Sequence, residues 1–462
     1  MVNNAIPYPE LDWETIQEDG YKIYRVGSHQ EGNFIQVYAP DSPCVKPGEK
    51  LKLITYLHGF ALCIPKFYRC HLIELVKEGY YVVFPDFQKS DYQKPDYRNI
   101  EQLQAAEVMT EKPHLSFWVS QLFKLIKDTV LNRDDLPVEA FLSDEEIGFE
   151  ELSVVKSRRT RYGRFQYGRF LLSVILIIGV IKVFLFWFNR TYGKNLIHLI
   201  STVAWSLLDK PEDWIHRSIN LTKRACKELN LENFEFYLFG HSVGGLLALS
   251  WPAFVDEQEF YPQEIIVADP APNTEIGIPK FAMFILKLFR SPFATAPMTI
   301  RETGNKLTIP VGILHGADDT LVKPDAWIKP ALFQSKSNFD FIVSSRKRIY
   351  FSLSDEKKNL IAFHNQAVTD TTYYSPALFK HFGGVKNKPN DYNFQYIWLG
   401  LDAVIKQKNS AEDLLPLFEN QDIKVVTDRP PQPSIWSTVI KIFGFVAVLA
   451  LGSWLWNSVL FN

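Results

Sequence analysis

The stretch Gly240-His241-Ser242-Val243-Gly244 sets a serine between two glycines at a spacing suited to nucleophilic catalysis. A serine hydroxyl is a poor nucleophile at neutral pH. It needs a base to take its proton, an acid to orient that base, and donors for the oxyanion. The Gly-x-Ser-x-Gly pattern meets the steric part of this requirement. Its serine sits on a tight, strained strand-to-helix turn, and the flanking glycines let strand and helix approach closely. A pentapeptide alone arises easily by chance, so its surroundings decide. Here Phe234–Phe239 reads as a buried strand leading in and Val243–Ser250 as a helix leading out. The Val243 N–H then lies at a helix N-terminus, where negative charge is favoured, and is one candidate oxyanion donor.

The elements that must position this serine follow an α/β rhythm. Tyr21–Val26 and Phe34–Tyr38 read as a hairpin. Leu51–Leu57 is a continuous apolar strand, Lys66–Lys77 is helix-like, and Tyr80–Phe84 is a second buried strand. Strand, helix, strand at this spacing is a βαβ unit, and unbroken apolar strands point to a parallel sheet covered on both faces. The rhythm resumes at Pro211–Leu229, a helix with Pro211 at its start and Glu212 and Asp213 in its first turn. Ile265–Ala268, Ile309–Leu314 and Ile349–Leu353 supply further strands, and Asn393–Lys406 a closing helix. The pattern predicts one doubly wound, mostly parallel sheet, built from residues 1–101 and 211–429. Insertions fall at 102–210 and at 271–306.

With these elements in place the chain resembles the α/β-hydrolase superfamily across most of Leu51–Lys406. Leu57-His58-Gly59-Phe60 is similar to the family's His-Gly loop, which supplies the second oxyanion N–H. The resemblance implies the backbone of Phe60 as that donor, with Ala61 beside it as the alternative, because the loop has a single glycine rather than three. The family order is serine, acid, histidine. His315-Gly316-Ala317-Asp318-Asp319-Thr320-Leu321-Val322 resembles its Gly-x-x-Asp-x-x-Val turn, which implies Asp319 as the acid. Asp269, at the end of the preceding strand, is the alternative acid, since some branches place it there. Of the two histidines beyond Asp319, His364 lies shortly after Ile349–Leu353, where the family puts its base, and His381 is the alternative. His58, His241 and His315 read as hydrogen-bonding supports for backbone. The chemistry implied is general-base attack by Ser242 on an ester carbonyl and hydrolysis of the acyl-enzyme by water, with no metal or organic cofactor.

Composition sets the remaining bounds. Of 462 residues 47% are apolar, so a large core is within reach, and a formal charge of −2 argues against nucleic acid as a partner. Four scattered cysteines make neither a disulfide framework nor a zinc spacing. The polar, acidic stretch Met1–Gly20 lacks the apolar core of a cleaved secretory signal.

Two apolar stretches speak for membranes. Phe170–Phe188 is long enough to cross a bilayer and follows Arg158, Arg159, Arg161, Arg164 and Arg169. Ile435–Phe461 carries one charge, Lys441, and has Trp436, Trp454 and Trp456 towards its ends. Because strands on both sides of the first stretch must share one sheet, a single crossing there is excluded. Either it pairs with Leu196–Leu208 as a return crossing, or the region 170–208 lies in the interface. The arginines favour a cytoplasmic catalytic domain. Residues 430–462 then form a Pro-rich linker and a C-terminal transmembrane helix. Phe281–Phe289, in the second insertion, reads either as a lid over the catalytic mouth or as an amphipathic helix packed on the core.

Together these features predict a membrane-associated serine hydrolase acting on lipid or other hydrophobic esters, with membrane lipids as its surroundings. The alternatives are an inactive hydrolase-fold scaffold or binding protein, and an acyltransferase using the same three residues.

Overall fold

A computed structural model describes residues 13–44, 50–90, 92, 195–278, 280–331, 334–380 and 383–427. Ten strands make one sheet: β1 (Glu14–Glu18), β2 (Tyr21–Val26), β3 (Ile35–Pro40), β4 (Leu51–Leu57), β5 (Tyr81–Pro85), β6 (Phe234–His241), β7 (Ile265–Ala268), β8 (Val311–Gly316), β9 (Lys347–Ser352) and β10 (Val425–Val426). Their spatial order is β1-β2-β3-β5-β4-β6-β7-β8-β9-β10. From β5 to β9 every neighbouring pair is parallel, while β1, β2, β3 and β10 pair antiparallel at the two edges. This mixed α/β sheet fits the α/β-hydrolase fold.

The main helices are α1 (Arg69–Lys77), α2 (Leu196–Ser206), α3 (Pro211–Glu228), α4 (Val243–Ser250), α5 (Lys280–Leu288) and α6 (Trp398–Ile405). Alternation along the strands divides the core between two faces. Ile54 and Tyr56 of β4 point to one face, with Phe239 of β6, Leu72 and Val76 of α1, and Leu401 and Val404 of α6. Leu53 and Leu57 point to the other, with Leu238, Trp214 and Ile219 of α3, and Leu246 and Leu247 of α4. Both faces are dry, which is why the central strands read as unbroken apolar runs.

Several boundaries differ from expectation for local reasons. β8 starts at Val311 rather than Ile309, since Pro310 has no N–H to give the ladder and contributes only its carbonyl, to Ile265 N. The closing helix opens with a π turn over Asn393–Ile397 before α6. β1 lies within the stretch that reads as merely polar. It is an edge strand, no residue of which is fully buried, so it carries no apolar signal.

Among the described residues no helix is long and apolar enough to cross a membrane. Phe170–Phe188 and Ile435–Phe461 lie outside those residues, as does His381. Leu196–Leu208, expected as a return crossing or as part of an interfacial region, is described, and its helix is too short to cross. α2 has 11 residues, which span about 16 Å, roughly half a bilayer's hydrocarbon core. It packs on the sheet domain through buried His198, Ser201, Thr202 and Ser206. Its anchors are Gln88 Nε2 to Ser206 Oγ at 3.0 Å and Asn195 Nδ2 to the Tyr373 carbonyl at 2.7 Å. The His198 ring stacks on Tyr92 at 5.3 Å between centroids. Tyr92 and His198, on either side of residues 93–194 in the sequence, are therefore in contact.

Candidate active site

Ser242 links β6 to α4 with φ 57° and ψ −120°, a strained conformation for a residue bearing a Cβ. Its surroundings impose that turn. A Cβ on Gly244 would lie 2.3 Å from the carbonyl oxygens of Leu57 and His58, and one on Gly240 would lie 2.3 Å from the Gly244 oxygen. The two glycines are thus required by the close approach of β4, β6 and α4. Ser242 N–H donates to the Ala268 carbonyl at 3.0 Å, and Ala271 N–H to the Ser242 carbonyl at 3.0 Å, so the second insertion begins in contact with the nucleophile turn.

Three of the predicted residues meet. His364 Nε2 lies 2.7 Å from Ser242 Oγ, and His364 Nδ1 lies 2.6 Å from Asp319 Oδ2. A carboxylate can only accept, so Nδ1 carries the imidazole proton and Nε2 is left to accept from the serine hydroxyl. The other oxygen of Asp319 takes the N–H groups of Leu321 and Val322 at 2.8 and 2.9 Å. The Gly316–Val322 turn thereby fixes the acid while β8 and β9 carry acid and base loops side by side.

Asp269 is buried nearby but does not reach His364. Its Oδ1 accepts from Gly316 N–H at 2.7 Å and from Gln366 Nε2 at 3.4 Å. Burial, and next the charge of Asp319, push its acid well above the usual carboxylate range. Asp269, His315 and Asp319 each bring a possible ligand atom within 4.8 Å of the others. The Asp319 oxygens are already engaged as above, and His315 Nδ1 faces the Gly316 carbonyl at 3.0 Å. Asp269 Oδ2 and His315 Nε2, by contrast, are buried with no hydrogen-bond partner among the described residues.

The His-Gly loop forms a turn closed by Leu62 N–H on the Gly59 carbonyl at 3.0 Å, with Ala61 at φ 60°. Ala61 N–H donates to Gln88 Oε1 at 2.7 Å. Phe60 N–H has no hydrogen-bond partner among the described residues, and Val243 N–H is the first donor of α4. This separates the two loop candidates: Ala61 is engaged and Phe60 is not. Behind the loop, burial alone would raise Asp86. The hydrogen bond from His29 and the neighbouring His58 ring outweigh it and hold the acid below its ordinary range. His58 also faces the Gly59 carbonyl through Nδ1 at 2.8 Å, in the supporting role expected of it.

On the far side, Lys386 is buried with its ammonium on the Gln366 carbonyl at 2.9 Å and Asn393 Oδ1 at 2.5 Å. Gln366 is two residues beyond His364, so this pair clamps the base loop. Burial lowers Lys386 to about 7, against the opposing pull of Asp269. Neither Gln88, Lys386 nor Asn393 was expected from sequence, since each is a lone polar residue outside any motif.

No family model matches this chain, and neither does any curated protein. Solved structures resemble it weakly. A putative dienelactone hydrolase from Klebsiella pneumoniae is 9% identical, with 86% of this chain and 98% of that chain covered and a TM-score of 0.37. An acetyl xylan esterase from Paenibacillus sp. R4 is 10% identical over 77% and 83%, TM-score 0.36. An esterase of Pyrococcus furiosus is 13% identical over 77% and 84%, TM-score 0.32. Likenesses this slight leave the functional reading to the geometry of the site.

Proposed function

We propose that this chain is a membrane-associated serine hydrolase that cleaves carboxylic esters of lipids or other hydrophobic acyl compounds. The observation that carries the reading is the unbroken contact from Ser242 Oγ through His364 to Asp319, at 2.7 and 2.6 Å. His364 Nε2 takes the hydroxyl proton as Oγ bonds to the ester carbon, and Asp319 stabilises the resulting imidazolium. The N–H groups of Phe60 and Val243 receive the oxyanion. His364 then gives its proton to the leaving alkoxide, and the acyl group stays on Ser242. Water, deprotonated by His364, attacks that acyl-enzyme, and collapse of the second tetrahedral adduct releases the acid and reprotonates Oγ.

Beside the oxyanion loop lie buried aromatic side chains of the core. The Phe60 ring lies 6.2 Å from Trp214, which in turn lies 5.9 Å from Phe293. Membrane association is supported by α5, the segment expected to be either a lid or a packed amphipathic helix. Met283 anchors it in the core, while Phe284, Leu288 and the following Phe289 are 62%, 64% and 49% exposed. Lys280, Lys287 and Arg290 flank these side chains, the composition of a helix seated at a lipid surface.

A fluorophosphonate probe should label the native chain and leave Ser242→Ala at background. Labelling of both, or of neither, sinks the hydrolase and favours an inactive scaffold. Topology has its own test, because β5 and β6 both pair with β4. In sealed membranes an impermeant maleimide should reach exposed Cys70 and a Glu232→Cys variant from the same face. Reaction from opposite faces contradicts a shared sheet and a bilayer excursion between them.

A further inference from the structure

Ser242 and His364 are connected a second time, behind the reacting atoms. Gly59, which precedes the proposed oxyanion donor Phe60, gives its N–H to Tyr68 Oη at 2.8 Å. Tyr68 Oη lies 2.8 Å from His241 Nδ1, and His241 Nε2 lies 3.0 Å from the His364 carbonyl oxygen. That carbonyl can only accept, so Nε2 of His241 carries the proton. Nδ1 is then bare and takes the Tyr68 hydroxyl proton, which leaves the Tyr68 oxygen free to accept from Gly59. A single polarity satisfies all three bonds.

The setting keeps that polarity in place. Tyr68, His241 and His364 are all buried. Burial, reinforced by the adjacent His364, holds the His241 imidazolium well below its ordinary range, so the ring stays neutral. The fit is tight: a Cβ on Gly59 would lie 2.8 Å from His241 Nδ1. The glycine of the His-Gly loop is therefore what lets the histidine before the nucleophile seat against it.

We propose that Tyr68 and His241 are positioning residues. By this chain they lock the oxyanion loop after β4, the nucleophile turn after β6 and the base loop after β9 into one register. The three loops come from distant parts of the sequence and must agree to within a fraction of an ångström for Oγ attack and oxyanion capture to coincide. The inference rests on the hydrolase reading and adds two residues to it that touch no substrate.

Two variants separate positioning from packing. His241→Gln keeps an N–H able to reach the His364 carbonyl, whereas His241→Leu fills the space without one. We expect Tyr68→Phe and His241→Leu each to lower kcat for an ester, and the rate of fluorophosphonate labelling, by at least about tenfold, with KM within about twofold. His241→Gln should retain clearly more activity than His241→Leu. Equal activities, the reverse order, or losses confined to KM would overturn the proposal. A readout independent of turnover is the ¹⁵N spectrum of histidine-labelled native protein, with His241 assigned by its loss in His241→Gln. Its Nε2 should be protonated and its Nδ1 bare from about pH 5 to about pH 9. The opposite tautomer, or titration within that range, overturns the relay even in an active enzyme. A native chain that fails to label removes the hydrolase reading and the positioning role with it, while the spectrum still reports whether the hydrogen-bond chain exists.

Discussion

Asp319→Asn lowers kcat for an ester substrate by about 10³- to 10⁴-fold, whereas Asp269→Asn leaves it within about threefold. The two acids are neighbours in a dry cluster, and their environments drive them apart. Asp319 Oδ2 faces His364 Nδ1 at 2.6 Å, and its other oxygen holds two backbone N–H groups. An asparagine there keeps the shape but turns an amide N–H towards the ring. The imidazole then protonates Nε2 instead, and Nε2 can no longer accept the Ser242 proton. Asp269 is pushed towards its neutral form by burial and by the Asp319 charge. Asparagine resembles that neutral acid in size and charge, and keeps an oxygen for Gly316 N–H. Steady-state kinetics of both variants, with thermal melting to confirm folding, decides the matter. A larger loss at Asp269 would move the acid to the end of β7.

These assignments show what a linear sequence can carry. Ser242, Asp319 and His364 were legible because each lies in the segment that follows a parallel strand, and such strands are unbroken apolar runs. Their order then falls into a recognisable pattern. Asp269 was visible as a rival for the same reason. Its raised pKa was not, because that depends on burial and on a second carboxyl brought alongside by folding. Phe60 and Ala61 were indistinguishable until Gln88, 27 residues beyond Ala61, was seen to occupy one of the two N–H groups. Tyr68 and Lys386 announce nothing locally. Tyr68 lies in a short helical turn, and its partner His241 is 173 residues away. Lys386 reads as a surface lysine, since lysines are almost never fully buried. α2 misled for a related reason. Its apolar residues suggested lipid, while the burial of His198, Ser201 and Thr202 against the fold has no local signal.

Lys386 gives the other large effect, and it is one of stability. Its amine falls to about 7 in the folded chain from an ordinary value of 10.5. Between those limits the unfolded chain binds one more proton than the folded chain, so stability rises with pH across the window, by about 1.4 kcal/mol per pH unit. Below about 7 both states are charged and the burial of the ammonium is felt in full. The increment across the whole window is on the order of 5 kcal/mol. Lys386→Met removes it. Urea unfolding from about pH 6 to about pH 9 should show the native chain gaining on the variant as pH rises, beyond a constant loss of about 1–3 kcal/mol for the two orphaned acceptors. A difference that stays flat with pH would mean that the amine does not titrate in place. Turnover should not follow the same curve. A neutral amine still has two N–H groups, and the clamp has two acceptors, Gln366 O and Asn393 Oδ1. The loop that carries His364 therefore stays gripped when the charge is lost, and the pH at which Lys386 titrates should appear in the unfolding free energy and not in kcat.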